Sequence, residues 1–168
     1  MKKIFFALLI TFYVSAGDVS GQNPVARNAP SKTTTRSPIA DGPDVWGVFH
    51  GRVPCQAMAA KMGLDVPSDC EKLKWGFTFY WDPKTHQPTT YAWEGSMYRE
   101  NARKGKWIII KGTKDFPDAT VIQLDPDKPQ QSFFLLKGDD NVLFVLDRSK
   151  NLMVGGSYLS YTFNRVVN

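Results

Sequence analysis

From Lys72 to Trp81 the chain reads KLKWGFTFYW, with Leu73, Trp75, Phe77, Phe79 and Trp81 on one side and Lys72, Lys74, Gly76, Thr78 and Tyr80 on the other. A period of two held over ten residues predicts a half-buried strand, because successive side chains of extended backbone point to opposite faces. The same pattern predicts an opening strand over residues 45–51. A strand over 89–98 follows the Pro-bounded turn at 82–88, and another over 107–111 follows a turn at 99–106. Segments 120–124, 132–137, 142–146, 152–154 and 157–165 continue the series, divided by residues 125–129, by 138–141 and by Gly155-Gly156. Only residues 56–64 (QAMAAKMGL) suit a helix, a short and Ala-rich one. Eight or nine short strands without a long 3.6-residue period predict an all-β antiparallel meander. Closing it into a barrel of about eight strands removes the exposed edges, with the one short helix over a mouth. Such an interior is filled by side chains or holds one small ligand, so Trp75, Phe77, Phe79 and Trp81 are candidates for core and for a ligand-lining stripe alike.

The alternation stops before residue 44. Met1-Lys2-Lys3 precedes eleven apolar residues (4–14, IFFALLITFYV) and then Val14-Ser15-Ala16, which reads as a secretory signal over 1–21, cut after Ala16 or after Gly21. Eleven apolar residues fall short of the roughly 20 that span a bilayer, so no transmembrane anchor is expected. The first cysteine is Cys55, so none stands near the cut to carry a lipid. Residues 22–43 hold four prolines, three consecutive threonines and little apolar surface, as a flexible linker does. The folded unit is therefore expected over 44–168, enough for one core.

Composition narrows the function classes. At 42% hydrophobic, 22% charged and net charge +5, the chain is neither disordered nor strongly polybasic. Lysines and arginines are scattered, apart from Arg99, Arg103, Lys104 and Lys106, so no nucleic-acid partner is expected. These charges read as solvated turns, or as a weak attraction to anionic glycans or lipid headgroups. Two histidines, His50 and His86, and no G-x-S-x-G, H-E-x-x-H or phosphate-binding loop leave no assembled catalytic set, and a non-enzymatic role is expected. In an exported chain the two cysteines, Cys55 and Cys70, are expected to form a disulfide. The competing reading is a soft-metal site for copper(I) made of Cys55, Met58, Met62 and His50, available only when the thiols are reduced. Met58 and Met62 stand four apart and share a helical face.

Gly51-Arg52-Val53-Pro54-Cys55 resembles the G-x-L-P-C opening of the NlpE N-terminal-domain family, the copper-resistance and envelope-stress lipoproteins of Gram-negative bacteria. Trp93-Glu94-Gly95, Gly105-Lys106-Trp107, Val142-Leu143-Phe144-Val145-Leu146-Asp147 and the closing Leu159-Ser160-Tyr161-Thr162-Phe163-Asn164-Arg165 are similar to that family's later motifs, so the resemblance covers about 45–166. It implies a small lipocalin-like barrel and a non-catalytic envelope protein, periplasmic or extracellular, linked to copper handling or stress sensing. The alternative is a monomeric lipocalin-like carrier of a small apolar ligand. Apart from the resemblance, a third reading is a structural domain that docks an envelope partner through the basic residues 99–106. Met58 stands where the family has the second cysteine of its C-x-x-C, and Cys70 supplies the other thiol. The lipobox cysteine is missing, so the family's membrane anchoring does not carry over.

Overall fold

The computed structural model describes residues 31–32 and 38–168; the expected signal and most of the expected linker lie outside them. The strands are β1 Ser31–Lys32, β2 Val45–Pro54, β3 Lys72–Trp81, β4 Pro88–Gly95, β5 Tyr98–Lys111, β6 Thr120–Leu124, β7 Phe133–Lys137, β8 Val142–Leu146 and β9 Thr162–Val167, with one helix, α1 Cys55–Met62. Strands β2 to β9 pair antiparallel in sequence order, and β9 bonds to both β2 and β8, so the sheet closes as an eight-stranded barrel. Strand β1 adds two parallel pairs beside the end of β9. No helix among the described residues is long and apolar enough to cross a membrane.

The alternation in β3 explains the interior. Leu73, Trp75, Phe77 and Phe79 are buried, while Lys72 and Lys74 are exposed. Phe77 meets Trp93 at 4.7 Å, Phe163 at 4.8 Å and Phe133 at 6.1 Å, ring to ring, so side chains from β3, β4, β7 and β9 interlock across the barrel. Contacts of this kind contribute about 0.5–1.5 kcal/mol each beyond the area they bury. One mouth is closed by Trp46, Phe79 and Trp107, with the Trp107 indole N–H donating to the Tyr80 carbonyl at 2.7 Å. The other mouth lies under α1.

Three local expectations need correction. Residues 99–106 are not a turn but the first part of β5; the reversal is the tight Ser96-Met97 step, where Met97 takes φ 72°. The polar run hid a strand because two of its inward positions are Arg103 and Gly105, not apolar residues. Segment 152–154 is reduced to a single bridge, Leu146 to Leu152, and residues 157–161 precede β9 instead of belonging to it. Trp81 leaves the interior, because an irregularity between Phe79 and Trp81 turns it outward, its ring tilted against His86 with centroids 4.6 Å apart and its indole N–H donating to the Pro43 carbonyl.

The end of the expected linker is fastened to the barrel. Ile39 is 8% exposed and packs with Val48 and Val166, while its backbone exchanges hydrogen bonds with the Asn168 side chain.

Candidate functional site

Helix α1 forms because residues 55–62 are rich in Ala and Met, and it ends because Gly63 takes the left-handed φ of 65° that a non-glycine residue adopts at a cost. Three ties hold it over the mouth. Cys55 and Cys70 form a disulfide, as expected. The Cys55 N–H donates to the Glu71 carbonyl at 3.0 Å, and the Gln56 amide donates to the carbonyls of Pro67 and Ser68 at 2.8 and 3.1 Å. Closing a 15-residue loop by the disulfide contributes roughly 3 kcal/mol in the chain-entropy account. Met58, 1% exposed, points down into the core.

Between α1, the start of β7 and the segment after β8 lies a cavity of about 340 Å³. Its apolar wall includes Met58, Met62, Phe133, Leu146 and Met153. Its charged groups are Lys61, Arg103 and Arg148, with Asp147 as the one carboxylate. Asp147 accepts from the backbone N–H groups of Asn151 and Ser149, each at 2.9 Å, and these bonds hold its carboxyl below the ordinary range. Arg148 donates to the Gln130 carbonyl at 3.0 Å.

Beside the cavity, inside the barrel, Arg103 donates to Asp125 Oδ2 at 2.6 Å and to the Gln131 carbonyl at 2.7 Å, and its Nε donates to the Tyr91 hydroxyl at 3.1 Å. Tyr91 in turn donates to Asp125 Oδ2 at 2.7 Å; burial first, then this bond, pushes the phenol well above its ordinary value of 10.0. Arg103 also lies over the Trp93 ring, 5.1 Å from its centre. The cluster fixes Arg103 at the cavity wall.

The candidate residues of the sequence divide between places. Cys55 sits in the disulfide, and Met58 and Met62 line the cavity. His50 is apart from them on the outer face of β2, level with Gly76 and Glu94; burial keeps its pKa below 6.5, with Glu94 acting in the other direction. Trp75, Phe77 and Phe79 are packed in the core, Trp81 is at the far rim, and none of the four lines the mouth cavity. His86 is exposed in its turn. Met153, Arg148 and the Tyr91–Arg103–Asp125 cluster were not legible as site residues. Met153 lies in an irregular segment, and Asp125 sits in a Pro-rich turn whose composition reads as solvated. No group of three or more His, Cys, Asp or Glu among the described residues could hold a metal ion. No family model, curated protein or solved structure matches the chain.

Proposed function

We propose that this chain is a non-catalytic, exported binding module of the NlpE-like, lipocalin-like kind, and that it takes a small ligand at the mouth beneath α1. The observation that carries the reading is the contrast between the two parts of the interior. Interlocked rings fill the barrel, whereas a cavity of about 340 Å³, within the size of ordinary small-molecule sites, stands at the α1 end. The disulfide supports export, because such bonds persist in oxidising compartments. The test fills the cavity: Met62→Trp should abolish retention of an environment-sensitive apolar dye and leave the thermal midpoint within a few degrees. Undiminished dye binding in that variant would overturn the reading.

A second reading is copper(I) binding, favoured by three methionines, Met58, Met62 and Met153, among the residues that line the cavity. Unlike a site built on Cys55, it needs no reduction of the disulfide. Titration of the oxidised protein with copper(I) against a competing chelator checks it: Met153→Leu should weaken binding, and an unchanged affinity would remove it.

A further inference from the structure

We propose that the mouth cavity selects an anionic amphiphile, a carboxylate or phosphate head on a short apolar chain; this rests on the binding reading above and gives its ligand a chemical class. The apolar wall of Met58, Met62, Phe133 and Met153 suits an alkyl chain, and methionine, unbranched and polarizable, adapts to chains of differing shape. At the roughly 30 Å³ that a water takes in the liquid, the cavity holds on the order of ten non-hydrogen atoms. That is a short chain with its head at the rim.

The charges decide what the head is. Arg103 is matched by Asp125, and its guanidinium is further engaged by Tyr91 and the Gln131 carbonyl. Asp147 is turned to its own loop: Oδ1 accepts from Ser149 and Asn151, and Oδ2 accepts from the Asn151 amide at 3.2 Å. Lys61 and Arg148 have no carboxylate within ion-pair distance, since the salt bridges among the described residues are Arg103–Asp125 and Lys137–Asp140. Asp147 acts on Lys61 through space without an ion-pair contact, so the single lining carboxylate is outnumbered by Lys61 and Arg148, with Arg103 matched by Asp125. A cationic head would be repelled there and a neutral one gains nothing from the charge. An anion interacts with both groups at once. Lys61 belongs to the last turn of α1 and Arg148 to the turn after β8, so the head would also bridge the helix to the barrel wall.

The experiment uses the full chain with its disulfide intact and measures, by calorimetry, the binding of decanoate, decyl phosphate and decanol. Decanoate or decyl phosphate should bind about tenfold more tightly than decanol, and the stronger of the two identifies the head. The Lys61→Glu/Arg148→Glu double variant should lose about tenfold in affinity for the anion and stay within about twofold for decanol. Both residues are exposed, so the fold should hold; as a check that needs no variant, salt near 1 M, where the screening length is about 3 Å, should weaken the anion alone. Equal affinities for decanoate, decyl phosphate and decanol, or anion binding untouched by both the double variant and salt, would overturn the inference and leave the cavity reading standing. No binding of any of the three would overturn both.

Discussion

Arg103 and Asp125 meet 22 residues apart in sequence and 2.6 Å apart in space, with the Tyr91 hydroxyl bonded to the same carboxylate oxygen. The side chains of the pair are 19% and 3% exposed, so the carboxylate is nearly dry and the guanidinium partly wet. Removing one member leaves the other charge buried and unmatched, which is where the cost lies. Asp125→Ala should destabilise by about 3 kcal/mol, and Tyr91→Phe, which takes one bond to a charged acceptor, by about 1.5–3 kcal/mol. Urea melts check the order. A smaller loss for Asp125→Ala than for Tyr91→Phe would mean that the carboxylate does not organise the cluster.

The carboxylate fits because β5 carries glycine opposite it. A Cβ at Gly105 would collide with Asp125 Oδ1 and crowd the Tyr91 ring. Gly105→Ala should therefore cost as much as removing the carboxylate, and the two changes should fall short of additivity because they damage one cluster. The double variant Gly105→Ala/Asp125→Ala should be more stable than the sum of the singles implies. Strict additivity would refute the shared cause.

Much of the barrel was legible because most inward positions are apolar, alternating with polar ones from Lys72 to Phe79 in β3 and lying within short apolar runs bounded by turn residues in β6 and β8. The reading failed where an inward position carries something else. In β5 the inward Arg103 and Gly105 erased the period, and a 14-residue strand looked like a turn followed by a short strand. At Trp81 the alternation was right but a bulge shifted the register, which composition does not announce. The disulfide was legible from two cysteines and an expected export. The cavity was not, since it is assembled from α1, β7 and the irregular segment after β8, whose proximity depends on barrel closure.

Phe77 sits at the centre of the aromatic cluster and is 0% exposed. Phe77→Ala should cost about 3–5 kcal/mol, whereas Lys74→Ala on the outer face of the same strand should fall within about half a kcal/mol of the parent. Comparable losses at both positions would contradict the observed register of β3, because a slip of one residue exchanges the two faces.

His50 makes stability depend on pH in a definite direction. Burial lowers its folded pKa below the 6.5 of an exposed imidazole, with Glu94 across Gly76 opposing the shift and Arg52 and Lys74 in the same groove. Between the folded value and 6.5 the unfolded chain binds the proton and the folded chain does not, so stability rises with pH there. The contribution is complete above 6.5 and is lost as pH falls toward the folded value. Denaturant midpoints followed downward from neutral pH should decline in this window, and His50→Asn should flatten the decline. A midpoint that rises on acidification through the window, and does so less in His50→Asn, would reverse the assignment.

The boundary of the folded unit is the remaining test. Residues 22–30 (QNPVARNAP) carry two prolines and little apolar surface to bury, whereas Ile39 packs against Val48 and Val166 and its backbone is bonded to Asn168. Deleting 22–30 should leave the thermal midpoint within a degree or two. Ile39→Ala removes buried methyl groups from a small satellite of the core and should cost about 2 kcal/mol. At about 4 °C per kcal/mol for a domain of this size, the midpoint should fall by about 8 °C. Equal midpoints for the deletion and for Ile39→Ala would show that the segment before β2 is held only by its connection to the barrel. A large fall on deleting 22–30 would show that the N-terminal chain packs against the domain. The expected contrast extends the folded unit at least to Ile39, five residues before Asp44.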